Sequence, residues 1–320
     1  MHWKTKAKIM RACAALPRGD RLYLWIQKNF GRLSGDPDPF SHLDRHLVLA
    51  DWLRGLGFSI AGKSFLEVGT GHVSTAAISF FLMGAERVTT VDLNRRLDMP
   101  LLTGFLSWIA DRRSELEARY APFTERDVLA KRLDTVERYA NDPVAFLRAA
   151  NIVYMAPADA ADTGLSSSSI DCHFSVNVLE HINRDTLQKI FNEARRTLRA
   201  GGVGLHLIDL KDHFHHQDKR IPLINFLRYS DREWNSLAGN EFAYTNRLRA
   251  RDYDQLFRKA GFRVVRDERK VDDDAIAILA DGFPLDEQYR TLTAEQVCTV
   301  SLLVAMVTGT YSKIHSDQEP

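Results

Sequence analysis

Apolar runs and glycines alternate over residues 64–92 in an order that predicts a strand, a turn, a helix and a second strand. The apolar run at 65–68 is short enough for a buried parallel strand, and Gly69 and Gly71 allow a sharp turn directly after it. Apolar residues then recur at helical spacing until Gly84 ends the helix: Ala76, Ala77, Phe80, Phe81 and Met83. The β-branched run at 87–91 predicts a second strand that finishes at Asp92. This order is typical of a nucleotide-binding unit.

The rest of the chain continues the alternation, which predicts an α/β fold with helices on both faces of a mostly parallel sheet. Further strands are predicted at residues 151–155, 169–176, 203–209, 262–265 and 297–307. Two helices with clear apolar faces are predicted between them, one stopped by Gly201 and Gly202 and the other by Gly261.

The glycine turn itself indicates which nucleotide is bound. A dinucleotide site has a third glycine for close packing of helix and strand, but Ser74 stands there in this chain. Glu67 lies two residues before the first glycine, where a carboxylate would repel phosphates and attract an ammonium or sulfonium group. Asp92, at the end of the second strand, suits a ribose diol. A nicotinamide oxidoreductase is therefore disfavoured.

The pattern of an acid, any residue, glycine, any residue, glycine resembles the first motif of class I S-adenosylmethionine-dependent methyltransferases. The resemblance covers residues 41–308 and implies a Rossmann-like, seven-stranded sheet whose last strand inserts antiparallel beside the fifth. It also implies that an acid after the third strand meets the adenine amino group, and that the segment after the fourth strand lies beneath the methionine moiety. The cofactor-binding residues implied are Glu67, Gly69, Thr70, Gly71, Asp92, Leu93, Asp159, Ala160, Asn177 and Val178.

The domain organisation follows from these elements. We expect a basic helical extension at residues 1–40, a methyltransferase domain at 41–310 and a polar tail at 311–320. Within the domain, residues 98–150 predict a helical lid and residues 211–249 an acceptor-site insertion, both at the carboxyl edge of the sheet. The two amphipathic helices predicted in residues 1–30 suit either a capping role on the domain or contact with an anionic membrane or a protein partner.

Composition excludes several other classes. The net charge of +1 argues against a nucleic-acid partner. The three cysteines are few and irregularly spaced, which predicts reduced thiols in a cytoplasmic protein. The N-terminal apolar run is too short for a secretion signal, and the apolar stretch at 297–309 is shorter than the roughly 20 residues of a membrane helix. A homo-oligomer remains open.

The acceptor insertion contains the sequence DHFHHQD at residues 212–218, and histidine is a suitable general base near neutral pH. We predict His213 or His216 as the catalytic base, oriented by an aspartate, with His181 as a second candidate. The candidate orienting acids are Asp209, Asp212 and Asp218. Together with the segments APADA and VLEHI, this insertion resembles bacterial methyltransferases of glycan and polysaccharide biosynthesis. The resemblance implies O-methylation of a sugar or glycan hydroxyl.

Three alternatives remain at this point. One is N-methylation of an aminosugar or another small molecule, and another is a non-catalytic scaffold subunit that binds S-adenosylmethionine. The third is a divalent metal ion bound by the acids and histidines of residues 209–218. Because their spacing matches no compact ligand motif, we expect no metal site.

Overall fold

A computed structural model describes residues 1–17 and 39–309, together with Gly19, Leu22, Tyr23, Trp25 and Ile26. The described residues form one sheet of seven strands in the order β3-β2-β1-β4-β5-β7-β6. The strands are β1 Ser64–Val68, β2 Arg87–Val91, β3 Ile152–Met155, β4 Ile170–Val176, β5 Leu198–Asp209, β6 Phe262–Val271 and β7 Thr299–Thr308. Strands β1 to β5 are parallel, and β7 lies antiparallel between β5 and β6. The predicted fold class is thus confirmed, including the antiparallel last strand.

Helices surround this sheet. They are α1 Trp3–Ala14, α2 Pro39–Gly55, α3 Thr75–Leu82, α4 Met99–Ala110, α5 Arg113–Tyr120, α6 Arg126–Tyr139, α7 Pro143–Ala149, α8 Arg184–Thr197, α9 Asp231–Ala238, α10 Ala250–Lys259, α11 Asp273–Ala280 and α12 Ala294–Cys298. Short 3₁₀ turns lie at Leu179–His181, His213–His216, Asn225–Arg228 and Glu287–Tyr289. Several helices begin where a polar side chain caps a free amide, as Asp98 accepts from Leu101 N and Asn183 accepts from Thr186 N.

Successive residues of each strand point to opposite faces and feed two separate cores. Phe65 and Ala305 pack on the side of α2 to α7, while Leu66 and Val304 pack on the side of α8 and α10. Both faces of the sheet are therefore covered, as its near-continuous apolar strands require. The strand order reverses between β1 and β4, so the loops after these two strands open a crevice at the carboxyl edge.

A third core lies beyond this edge and joins α1 to the acceptor segment, residues 211–249. Trp3 of α1 is 3% exposed and packs against Phe214, Tyr229 and Trp234, with ring centroids 5.3 to 6.1 Å apart. The backbone amide of Trp3 also donates to Asp218 Oδ2 at 3.0 Å. The buried face of α1 thus contacts this segment, as the capping role would require.

Several predicted boundaries were wrong. Gly201 and Gly202 do not stop a helix, because α8 already ends at Thr197 and the glycines lie inside β5. The last strand begins at Thr299, and Val297 belongs to the short helix α12. Strand β6 continues to Val271, six residues beyond its predicted end, since it pairs with β7 along its whole length.

Other predictions meet the limits of the described residues. Most of the second amphipathic helix of residues 1–30 and the polar tail at 311–320 lie outside them. Residues 98–150 are helical as predicted and bury side chains such as Leu102, Leu133 and Phe146 in the core of the α2 side. Their role as a lid stays a prediction. Among the helices of the described chain, none has the length and apolarity needed to cross a bilayer.

Candidate functional site

The loop after β1 forms an open cradle because its glycines adopt backbone angles that other residues avoid. Gly69 has φ +89°, and a Cβ there would lie 2.4 Å from Val178 Cγ2. Gly71 has φ +67° and faces open space, so a ligand can approach its backbone. The close contact of Gly69 with Val178 brings the loops after β1 and β4 together at the point where the strand order reverses.

Glu67 lies on β1 directly beneath this cradle and is 3% exposed. Burial, opposed in part by a hydrogen bond with Thr90 and reinforced by the charge of Asp92, raises the pKa of its carboxyl group to about 8. Its Oε2 atom has no hydrogen-bond partner among the described residues. The sequence predicted a carboxylate here, but the folded protein keeps this acid largely neutral near pH 7 until a cationic group binds beside it. An orphan acceptor of this kind fits an ammonium ligand.

Asp92 follows β2 at the same edge of the sheet. Its Oδ1 accepts from the backbone amide of Asn94 at 3.2 Å and lies 4.0 Å from Arg96 Nε. Partial burial raises the pKa of this carboxyl group, while the Asn94 amide and Arg96 favour its charged form. Leu93 beside it is 68% exposed, so its side chain can cover a bound ligand.

The loop after β3 is tied to Asp92. Ala158 N donates to Asp92 O at 3.0 Å, which places the predicted adenine-binding residues next to the predicted ribose-binding acid. Asp159 Oδ1 accepts from Ala161 N at 2.8 Å, and Ala160 between them is partly buried. The order of groups along the edge therefore fits an adenosine laid across β1, β2 and β3.

The loop after β4 completes the predicted cofactor site. Asn177 has φ +53°, and its amide donates to Leu207 O at 2.8 Å, which turns the chain sharply at the end of the strand. Val178 then packs on Gly69, and the 3₁₀ turn Leu179–His181 follows. Nine of the ten predicted cofactor residues thus lie on four neighbouring loops at one edge of the sheet, and the tenth, Glu67, lies on β1 beneath them.

Two of the three predicted catalytic histidines lie together in the acceptor region. The rings of His181 and His213 have centroids 5.0 Å apart. His213 Nε2 is 3.6 Å from Asp209 Oδ2, which also lies 3.0 Å from Lys211 Nζ. Burial opposes ionisation of Asp209, but His213 and Lys211 outweigh it and lower the pKa of this carboxyl group to about 2. Asp209 is therefore a permanent negative charge beside His213.

His181 differs from His213 in its surroundings. Its Nδ1 atom is 2.9 Å from the carbonyl oxygen of Tyr244, an acceptor only, so Nδ1 carries the proton and Nε2 keeps a lone pair. Desolvation, followed by the nearby His213, lowers the pKa of His181 to about 4. Such an imidazole stays neutral near pH 7 and is a weak base.

The other candidates in this loop have different roles. His216 is exposed, with its ring centroid 5.9 Å from that of His213. Asp212 accepts from Phe214 N at 2.8 Å and from Asn225 Nδ2 at 2.8 Å, and Asp218 accepts from Trp3 N. Both carboxylates are thus engaged in shaping the loop, and the orientation of a catalytic imidazole by Asp212 or Asp218 stays a prediction.

Sequence reasoning missed one residue at this site, Glu180. Its side chain is 3% exposed, and its Oε1 lies 4.0 Å from His181 Nε2. Burial, reinforced by the charge of Asp209, raises the pKa of Glu180 well above its usual value, and the charge of Lys211 offsets only part of this effect. The only signal in the sequence was its position next to His181 in the segment VLEHI.

A small cavity connects these groups to α1. Its walls combine His181 and His213 with aromatic residues and with two side chains of α1: Phe214, Trp234, Phe242, Lys6 and Met10. Its volume is about 40 Å³, which is room for one or two water molecules. A larger acceptor would have to displace part of this wall.

One protein-family profile and several solved structures are similar to this chain. A protein-family profile described as a methyltransferase domain matches residues 113–205. A search of curated proteins found no match. Similar solved structures include an S-adenosylmethionine-dependent methyltransferase from Mesorhizobium loti, with 17% identity over 80% of this chain and 97% of that one and a TM-score of 0.45.

Two further solved structures are similar. One is magnesium protoporphyrin IX methyltransferase from Synechocystis PCC 6803 with bound S-adenosylhomocysteine, at 13% identity over 91% of this chain and all of that one, with a TM-score of 0.46. The other is phosphoethanolamine N-methyltransferase 2 from Haemonchus contortus in complex with S-adenosylmethionine. It shows 17% identity over 83% of this chain and 53% of that one, with a TM-score of 0.44.

Proposed function

We propose that this methyltransferase, which uses S-adenosylmethionine, methylates a hydroxyl group of a polar acceptor, and that the acceptor is a sugar or glycan. The observation that carries the proposal is the position of His213 beside Asp209, a carboxylate that stays charged. This pair lies next to a loop of the predicted cofactor site. A hydroxyl acceptor needs such a group, because its proton must leave as the methyl group arrives.

The cofactor supplies a methyl group that its sulfonium has already activated, so the protein mainly has to bind and align. Glu67 offers a buried, unpartnered oxygen to the amino group, while Asp92 and Asp159 would hold the ribose and the adenine. Gly71 faces open space, which leaves room for the ribose of a ligand. These are supporting features of a donor site and do not identify the acceptor.

His213 is the residue that we assign as the base. When it takes the hydroxyl proton, the negative charge of Asp209 at 3.6 Å from Nε2 stabilises the resulting imidazolium. His181 is less suited, because the lowered pKa of about 4 makes its imidazole a poor proton acceptor. His216 is exposed and would need a longer reach to the cavity.

The composition of the cavity supports a carbohydrate. Its lining combines aromatic side chains, among them Trp234 and Phe242, with Gln217 and Thr245, which offer hydrogen-bonding groups to sugar hydroxyls. Since the cavity holds only one or two waters, α1 has to shift when such an acceptor enters.

The test is a mass-spectrometric screen for methyl transfer to nucleotide sugars, lipid-linked sugars and small phenols. We expect a methylated sugar, with His213→Ala lowering kcat by about 100-fold or more and His216→Ala retaining most of the turnover. Thermal unfolding would check that both variants are folded. Methylation of a sugar nitrogen would favour the N-methyltransferase alternative. Full activity of His213→Ala would refute the base assignment, and binding of S-adenosylhomocysteine without transfer to any acceptor would favour a scaffold.

A further inference from the structure

Three potential metal ligands converge at the wall of the acceptor cavity. One ligand atom each from Glu180, His181 and His213 lies within 4.8 Å of the other two. They come from the 3₁₀ turns that follow β4 and β5, which are neighbours in the sheet, so the fold itself brings these distant positions together.

Glu180 is the strongest indication that something is bound there. Both of its carboxylate oxygens are buried, and neither has a hydrogen-bond partner in the part of the chain that the structure describes. A buried acid without a hydrogen-bond partner is unfavourable, whether it keeps its charge or is forced to hold a proton. A cation next to Glu180 would remove this penalty.

His181 is arranged as a metal ligand usually is, whereas the Nε2 atom of His213 faces Asp209 without a hydrogen bond among the described residues. A ligand imidazole binds the ion through one nitrogen and is oriented at the other by a carbonyl or a carboxylate. His181 donates through Nδ1 to Tyr244 O at 2.9 Å and so keeps its Nε2 lone pair available, 4.0 Å from Glu180 Oε1. Asp209 Oδ2 lies 3.6 Å from an imidazole nitrogen of His213.

The ligand set and its size fit a transition-metal ion. Two imidazoles and one carboxylate are a known set for catalytic zinc, in which a fourth position stays open. Ligands about 2.1 Å from a tetrahedral ion lie about 3.4 Å apart, so the present spacing of at most 4.8 Å requires a contraction of up to about 1.4 Å, which rotation of the side chains can supply.

We propose that Glu180, His181 and His213 bind a divalent transition-metal ion whose open coordination position faces the acceptor cavity. The open position would take an oxygen of the acceptor, and a sugar diol or hydroxyl is the class of ligand that fits. Only this role of the ion rests on the proposed function, whereas the binding of the ion does not. With the ion bound, Glu180, His181 and His213 would hold it, and coordination would lower the pKa of the acceptor hydroxyl. This metal-bound form would be the alternative to the metal-free form, in which His213 takes the hydroxyl proton.

The test of binding uses untagged, chelator-treated full-length protein titrated with Zn²⁺ in a calorimeter. We expect one ion per chain, with affinity reduced about 100-fold or more in Glu180→Gln and His213→Ala, at least the loss known for outer-sphere partners. His42→Gln on α2 is the matched control, since it removes a histidine that is not among the residues lining the cavity, and it should bind as the native protein does. Anomalous scattering at the zinc edge should place the ion between the three side chains.

Two results would overturn the site: no binding to the native protein, or equal binding to Glu180→Gln and His213→Ala with circular dichroism showing both folded. Methyl transfer is a separate measurement. Loss of transfer with a strong chelator and its recovery with Zn²⁺ would support the role in holding the acceptor, and transfer that ignores the chelator would refute that role. Zinc binding at this site in a protein without any methyl transfer would leave the site standing and count against the proposed function alone.

Discussion

Replacing Glu67 with glutamine should make the protein more stable, and increasingly so as the pH rises. The folded state raises the pKa of Glu67 from 4.5 to about 8. Between these values the unfolded chain has lost the proton and the folded chain still holds it, so stability falls with rising pH by about 1.4 kcal/mol per unit. The contribution of Glu67 to stability is fully present below the pKa of the unfolded chain, 4.5. It is lost as the pH rises to the pKa of the folded protein, about 8. Glutamine has the same shape and does not titrate.

The magnitude follows from the same two pKa values. Between about pH 6 and about pH 8, the native protein should lose about 2 kcal/mol that Glu67→Gln does not lose. Denaturant unfolding at the two pH values, followed by circular dichroism, measures this difference. Glu180 has its pKa shifted in the same direction, but it is present in both proteins and cancels. Glu86→Gln, at an exposed position just before β2, should follow the native pH profile.

Whereas Glu67→Gln should raise stability, it should lower the affinity for the methyl donor. Glu67→Gln removes the charge that would face a cationic ligand, so we expect S-adenosylmethionine to bind about 10-fold more weakly, which corresponds to about 1.4 kcal/mol. A stability difference that is the same at both pH values would refute the reasoning, because Glu67 would then titrate in the folded protein as it does in the unfolded chain. Unchanged donor affinity would remove Glu67 from the cofactor site.

Two further predictions concern Gly69 in the loop after β1 and Trp3 in α1. Gly69→Ala should lower affinity for S-adenosylhomocysteine by at least about 10-fold in calorimetry, since the new Cβ would meet Val178 at 2.4 Å and φ is +89°; native affinity would mean that this contact is not needed. Trp3→Ala should cost about 3 kcal/mol in denaturant unfolding, because a large buried ring is lost, and should change the acceptor KM more than the donor KM. An equal change in both KM values would show that α1 does not act on the acceptor side.

The fold around the predicted cofactor site was predictable because its signals are local. Gly69, Gly71 and Asp92 lie within one strand-turn-helix-strand unit, and apolar runs mark the strands around it. Gly201 and Gly202 misled the boundary of α8 because glycine also occurs where a strand begins in a tight connection. Pattern alone does not separate the two cases.

The acceptor end was predictable only in part because its chemistry depends on distant contacts. The proposed role of Glu180 depends on its burial and on its closeness to His213, which lies on the loop after the neighbouring strand. The sequence made Asp212 and Asp218 candidates for orienting an imidazole. In the structure they accept hydrogen bonds from the amides of Phe214 and Trp3. A carboxylate that caps a backbone amide and one that orients an imidazole look the same until the fold is known.

The separate core shared by α1 and the acceptor segment has a consequence for how this enzyme could be diversified. Trp3, Phe214 and Trp234 belong to it, and it includes no residue of the strands β1 to β5. Libraries randomised in this outer core could therefore retarget the enzyme while the sheet and its donor loops keep their sequence. Directed evolution should begin with the side chains of this outer core.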